Sequence, residues 1–336
     1  MVFIGREAEL GWLREYAGAD RSTPYVVYGP EGCGKTALAL EAVRRFSYWY
    51  PRGVAIYLDG KARRGEDVFK SNIQLGDVLA DVAGELLGRI GGAAARAAVW
   101  LLGRVVERLV ERQSPSNILV IVDELFSAVG VREGAVVVKH AQELGDRHLR
   151  SLKAEAGLIP RPLAGVRIAY LVFTSEGASR RELSRHSWAH TALMWNMDKD
   201  DFRRLNEAVG GPDFATAWRL CGGNPRCLFQ LAEAGWDAEK YLASISSSRG
   251  VRWVVAKAAE LGLTDALKEA VENPDILAEP SGLRLARLLE SRNFVVELSP
   301  AAIGGVPSRD PELGVGRLYA WQTPALRDAV ARALRG

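Results

Sequence analysis

The chain is 336 residues long, 48% hydrophobic and 25% charged, with a net charge of +3. That length exceeds one ordinary domain, and the composition is that of a soluble globular protein with a sizeable core. So small a charge excludes a global field for nucleic acid, and three cysteines with four scattered histidines offer neither a disulfide framework nor metal-ligand spacing. Cysteine usage therefore points to a reducing cytoplasm. Arg outnumbers Lys, and Gln and Met are scarce, as expected of a thermophilic source. Met1–Glu7 has no charged segment followed by an apolar stretch, so no secretory leader is expected there. The most apolar long segment, Gly91 to Val110, is interrupted by Arg96, Arg104, Glu107 and Arg108. It is expected to pack on the protein's own core, not to span or lie on a membrane.

In chain order, the box Phe3-Ile4-Gly5-Arg6-Glu7-Ala8-Glu9-Leu10 precedes a predicted strand, Tyr25–Tyr28. Gly29-Pro30-Glu31-Gly32-Cys33-Gly34-Lys35-Thr36 follows, and a helix-forming run from Ala37 to Val43 leaves it. The octapeptide fits G-x-x-x-x-G-K-[ST] without a departure. Its glycines let backbone N–H groups reach a phosphate, and the helix N-terminus adds its dipole and unpaired donors. Lys35 is the expected partner of the β- and γ-phosphates, and the Thr36 hydroxyl of Mg²⁺. After the turn Pro51-Arg52-Gly53 comes a strand over Val54–Leu58. A helical region from about Val68 to Arg112 follows, with glycines expected to break it.

Ile118–Val122 is an apolar run ending in Asp123 and Glu124, as suits a strand buried on both faces of a parallel sheet. Asp123 is expected to reach Mg²⁺, directly or through water. Glu124, one residue further out, is expected to polarise an attacking water. A helical region over about Val136 to Ala156 ends before Ile159-Pro160-Arg161-Pro162. Strands over Val166–Phe173 and Thr191–Met194 complete a βαβ alternation, which implies a parallel sheet covered on both faces. Beyond Asp198 the texture changes to short helices over Asp200–Val209, Asp213–Leu220 and Pro225–Ala234, punctuated by Gly-rich turns. Ser246–Gly250 reads as a linker. After it come a helix with Val254, Val255, Ala258 and Leu261 on one face and another carrying Leu285, Leu288 and Leu289. Strands over Phe294–Leu298 and Arg317–Trp321, joined by a Gly/Pro-rich loop, precede a last helix with Thr323 at N-cap and Pro324 at N1.

These motifs, in this order, resemble the archaeal ATPase family within the STAND branch of AAA+-type P-loop proteins. The opening box, Gly29–Thr36, Ile118–Glu124, the strand Ile168–Ser175 and the lid motif Gly223-Asn224-Pro225 each resemble that family's pattern. The resemblance implies an α/β fold: a parallel-sheet P-loop NTPase core over residues 1–197, an α-helical lid over 198–248 and a C-terminal winged helix over 249–336. It implies ATP or ADP and Mg²⁺ as ligands, with Gly5, Arg6 and Pro225 near the base and Thr174 or Ser175 sensing the γ-phosphate. Arg226 is either a sensor arginine for the γ-phosphate or a solvent-facing lid residue. One departure stands out: Glu176 occupies the position where many STAND proteins carry arginine. Arg180, Arg181 and Arg185 are either substitutes, in cis or toward a neighbouring molecule, or a solvated basic surface.

The resemblance implies an ATP-driven switch with slow turnover and a protein partner or self-association. The other reading is a winged-helix DNA binder controlled by nucleotide state. Residues 251–336 carry eleven basic and eleven acidic side chains, so the unit has no net charge, with only a mild basic excess of Arg284, Arg287 and Arg292 against Glu290, and a protein-binding or autoinhibitory tail is favoured. A phosphotransferase reading lacks an acceptor-site signature.

Overall fold

The computed structural model describes residues 3–19, 23–61, 69–74, 76, 94–159, 161–175 and 188–335. Its centre is a seven-stranded sheet in the order β3-β2-β4-β5-β1-β6-β8. The strands are β1 (Tyr25–Tyr28), β2 (Gly53–Asp59), β3 (Phe69–Ser71), β4 (Asn117–Asp123), β5 (Arg167–Thr174), β6 (His190–Met194) and β8 (Ala302–Ile303). Every pairing is parallel except that of β3 with β2.

The apolar runs become strands because both of their faces are covered. Val54, Ile56, Ile118, Val120, Ile168 and Tyr170 point to one face, where they meet α3 (Ala94–Gln113) and α5 (Val131–Gly145). Alternate residues Ala55, Tyr57, Leu119, Ile121, Ala169 and Leu171 point to the other, against α1 (Glu7–Gly18) and α2 (Lys35–Trp49). This period-2 division into two cores is what a doubly covered parallel sheet demands. The register aligns the strand ends: Tyr28 lies beside Thr174, and Asp123 beside both Asp59 and Phe173. Chain segments leaving β1, β4 and β5 therefore meet at one edge of the sheet.

Between β4 and β5 lie α4 (Leu125–Val129), α5, α6 (Arg147–Glu155) and the short α7 (Arg161–Ala164). The single helical region expected over Val136–Ala156 is two helices, split where Asp146 turns to an extended conformation and caps α6 through Leu149 N–H. The region expected to be helical from Val68 is corrected at its start, since Phe69–Ser71 pairs antiparallel with β2. Residues 68, 75 and 77–93 of that region lie outside the described residues, and its last part is the helix Ala94–Gln113.

After β6 come α8 (Lys199–Ala208), α9 (Phe214–Cys221), α10 (Pro225–Glu233), α11 (Ala238–Ser248), α12 (Val251–Glu260), α13 (Thr264–Glu272) and α14 (Leu283–Ser291). The chain ends with β7 (Val295–Glu297), β8, β9 (Tyr319–Trp321) and α15 (Pro324–Ala333). β7 and β9 form the expected antiparallel pair. The loop between them departs from expectation, because its Ala302 and Ile303 join the large sheet beside Leu193 and Met194. One apolar core holds Phe202, Leu220 and Leu228 together with Val254, Leu267, Leu289, Trp321 and Leu326. Helices on both sides of the expected linker thus share their burial.

The expectation that the cysteines form no disulfide is corrected. Cys221 and Cys227 are bonded, with Cα atoms 5.4 Å apart. Gly222 and Gly223, both at positive φ, reverse the chain between α9 and α10 and bring the two residues together. Among the described residues, no helix is long and apolar enough to cross a membrane.

Candidate functional site

The loop between β1 and α2 is shaped by its glycines. Gly32 and Gly34 have φ of 81° and 106°, which a side chain rarely adopts. A Cβ on Gly29 would strike the carbonyl of Met194, so that position must be bare for the loop to lie against β6. Lys35 is buried at the start of α2, and its ammonium donates to the carbonyls of Gly29 (3.0 Å) and Pro30 (2.9 Å). A cradle of bare backbone, a helix N-terminus and a buried lysine fit a polyphosphate chain.

Across the loop, the Thr36 hydroxyl donates to Asp123 Oδ2 at 2.5 Å, and the Tyr57 hydroxyl donates to the same oxygen at 3.1 Å. Burial, helped by the neighbouring Glu124 charge, pushes the Asp123 carboxyl above its ordinary value, against the opposing bonds from Thr36 and Tyr57. Hydroxyl plus carboxylate is a hard-oxygen pair of the kind Mg²⁺ takes together with phosphate and water oxygens. Tyr57, the unforeseen member, comes from β2, beside β4.

Glu124 stands at φ 54° as N-cap of α4, turned out of the strand direction. Its Oε2 accepts from Lys61 (2.6 Å) and Ser127 (2.8 Å), and its Oε1 accepts from Ser175 (3.1 Å). Burial would raise this carboxyl, but the bonds from Lys61, Ser127 and Ser175 outweigh burial and hold it below the ordinary range. It is ionised at neutral pH and held by three side chains, as a water-orienting group must be. Of the expected sensor pair, Ser175 is the residue that meets Glu124. Thr174 is buried at the end of β5, one position earlier.

The opening box serves the loop from behind. Gly5 has φ 71°, and a Cβ there would collide with the Asp201 carboxylate. Arg6 is buried, its guanidinium paired with Glu9 and donating to Cys33 O (2.6 Å) and Trp195 O (2.9 Å). It thereby ties α1 to the phosphate loop and to the segment after β6. A cavity of about 480 Å³ opens beside Gly34 and Ala37, with Ile4, Leu205, Pro225 and Phe229 in its walls. Its apolar surfaces suit the faces of a planar base. Arg6 lines it too, so the structure brings Arg6, Ala37 and Pro225 around one cavity. A larger cavity of about 690 Å³ on the far side of Arg6 includes no residue of the phosphate loop.

From the start of α10, Asn224 donates to Glu31 O (3.0 Å) and to Asn196 Oδ1 (2.9 Å), and Arg226 donates to Glu31 Oε1 (2.5 Å). From the C-terminal segment, Gln322 Oε1 accepts from Glu31 N–H (3.0 Å), and Arg249 donates to Glu31 Oε2 (2.6 Å). Sequence reasoning did not foresee Lys61, Asn196, Arg249 or Gln322, each of which meets the site from a distant part of the chain. Glu176, Arg180, Arg181 and Arg185 lie outside the described residues.

Three comparisons bear on these features. The solved Aeropyrum pernix ORC2 protein with ADPNP and ADP aligns at TM-score 0.46 and 15% identity, over 98% of this chain and 94% of that one. Its ADP form aligns at 0.42 and 14%, over 99% and 94%. The Pif1 helicase from Candida albicans aligns at 0.31 and 14%, over 64% and 47%. No curated protein sequence matches the chain. The pattern of an ATPase domain predominantly from Archaea matches residues 3–231, which takes in the opening box, the phosphate loop, Asp123, Glu124 and the lid motif. The chain belongs to that family of ATPase domains.

Proposed function

We propose that the protein binds Mg-ATP and hydrolyses it slowly, as a STAND-type switch whose lid and C-terminal unit respond to the nucleotide. One observation carries this reading: a single phosphate loop is touched by all three parts of the chain. Thr36 meets Asp123 of the sheet, Asn224 of the lid meets Glu31 O, and Gln322 of the C-terminal segment meets Glu31 N–H. A change in what the loop holds is thus felt directly by both mobile partners of such a switch.

In this reading Lys35 and the loop N–H groups neutralise the β- and γ-phosphates. Thr36 and Asp123 hold Mg²⁺, which supplies charge neutralisation at the phosphates. Glu124, oriented by Lys61, Ser127 and Ser175, positions the attacking water. The apolar cavity beside Pro225 takes adenine. Lys35→Ala is expected to abolish tight ATP binding while the fold persists, because Lys35 supports the loop through two carbonyl contacts and a long contact to Cys33 Sγ, while the glycines set the loop's shape. Glu124→Gln is expected to bind ATP and leave it intact, with turnover down by roughly a hundredfold or more. Binding by calorimetry and single-turnover hydrolysis check both. Unchanged affinity in the folded lysine variant, or undiminished turnover in the glutamine variant, contradicts the reading. A GTP that displaces ATP at equal concentration contradicts the adenine assignment.

A second reading, nucleotide-controlled DNA binding, draws on Arg284, Arg287 and Arg292, which are exposed along and just after α14. Salt-sensitive retention of a DNA duplex by the whole protein would favour it. The balanced charge of residues 251–336 supports a protein-contacting or autoinhibitory role instead.

A further inference from the structure

Glu31 is the third residue of the phosphate loop, at a position where the motif demands no particular side chain. It carries a carboxylate gripped by two guanidiniums from different parts of the chain. Arg226 comes from the first turn of α10, and Arg249 from the C-cap of α11. Each takes one carboxylate oxygen, at 2.5 and 2.6 Å. Arg226 also lies across the loop itself: its N–H donates to Gly32 O at 3.3 Å, and a Cβ on Gly32 would collide with its side chain. Arg249 uses its other terminal nitrogen on Asn293 O (3.0 Å), at the turn between α14 and β7. One guanidinium therefore bridges the phosphate loop and the C-terminal segment.

Burial works against the Glu31 charge, but Arg249, Arg226 and Lys35 more than offset it and hold the carboxyl below the ordinary range. The Lys35 ammonium, the loop's own phosphate partner, is thus near enough to act on this carboxylate. A phosphate oxygen and a carboxylate oxygen present the same charge-assisted acceptor to arginine.

We propose that Glu31 is a built-in competitor for the γ-phosphate: its carboxylate holds Arg226 and Arg249, and a nucleoside triphosphate takes both from it. Glu31 is then a specificity-determining residue that lowers the advantage of ATP over ADP. Its exchange for γ-phosphate turns Arg249 from a clasp on the loop into a contact with the nucleotide, and shifts the turn at Asn293 with it. This rests on the ATP-binding reading above.

The test measures ATPγS and ADP affinities of the full chain by calorimetry, for wild type, Glu31→Gln, and Glu31→Gln combined with Arg226→Ala and Arg249→Ala. Glu31→Gln keeps shape and polarity but weakens the competing acceptor. It is expected to raise ATPγS affinity roughly tenfold, the worth of a charge-assisted bond over a neutral one, with ADP affinity changed less than about twofold. The combined variant is expected to lose that gain. Amide exchange at residues 292–294 is expected to rise on adding ATPγS, and not ADP, to the wild type. Parallel changes for both nucleotides, or a gain that survives loss of both arginines, overturn the latch while ATP binding stands. A wild type that binds neither nucleotide overturns the ATP reading and the latch together. An unchanged melting temperature of Glu31→Gln without nucleotide separates competition from a merely structural role.

Discussion

Arg6 shows how much a single residue can settle behind a binding loop. Its guanidinium is almost fully buried, pairs with an equally buried Glu9, and donates to two carbonyls on separate segments. Replacing it with Ala leaves Glu9 as an uncompensated buried charge, a loss of about 3–5 kcal/mol. Lys is not expected to rescue, since one ammonium cannot reproduce the planar fork that meets Glu9, Cys33 and Trp195 at once. Urea denaturation of Arg6→Ala and Arg6→Lys checks this. Stability close to wild type in the Ala variant contradicts the tie. At this scale the sequence was most legible where chemistry is contiguous. Lys35 and Thr36 stand in one octapeptide, and Asp123 and Glu124 end one apolar run, so local pattern was enough. Lys61, Arg249 and Gln322 reach the site across 63, 218 and 291 residues, and such pairings leave no periodic trace.

Among elements, the short ones carry the surprises. β3 and β8 are three and two residues long, too brief for a period-2 pattern to declare itself. The long buried strands β4 and β5 were plain because burial on both faces makes the whole run apolar. The turn before β9 is held by a side chain rather than by its own sequence. Asp275 accepts from the N–H groups of Arg317, Leu318 and Tyr319 at 2.7–3.1 Å. Burial, the largest single influence, raises its carboxyl, but these three backbone donors and the nearby Arg309 charge together outweigh it and hold it below the ordinary value of 3.8. A carboxyl lowered in the folded state adds stability that is present above 3.8 and lost as pH falls through the still lower folded value. The β7–β9 pair is therefore expected to loosen below that ordinary value. Asp275→Asn is expected to bring on part of that loss at neutral pH. The effect is about 1–2 kcal/mol, reduced from the worth of buried charged bonds because the site is partly open to water. Acid titration followed by Trp321 fluorescence checks this; identical acid midpoints for wild type and Asp275→Asn contradict it.

At the scale of the whole molecule the question is whether the C-terminal segment restrains the nucleotide site, and the packing dictates how to ask it. Cutting the chain near Arg249 removes Val254, Leu267, Leu289, Trp321 and Leu326 from the core that also buries Phe202, Leu220 and Leu228. Such a truncation strips the helices before Arg249 of most of the core they share, so it is expected to aggregate, not to report on restraint. The segment is fastened to the sheet elsewhere, by β8 against β6 and by Asn196 donating to Gln322 O at 2.9 Å. Ile303 is the apolar anchor of that fastening, buried among Leu10, Val27 and Met194 side chains of the nucleotide unit. Ile303→Ser deletes the anchor and leaves the shared helical core intact, at a cost of about 2–4 kcal/mol confined to the strap. If the segment is a brake, the variant is expected to turn over ATP several-fold faster. Its main unfolding transition should stay cooperative, and Gln322→Ala, which keeps the carbonyl bonded to Asn196 but loses the Oε1 bond from Glu31 N–H, should act in the same direction. If the segment merely decorates the sheet, strap variants will melt earlier with turnover unchanged. A duplex-DNA retention assay on the same variants closes the remaining route: retention lost with the strap, at constant turnover, would move the segment's role from restraint to DNA contact.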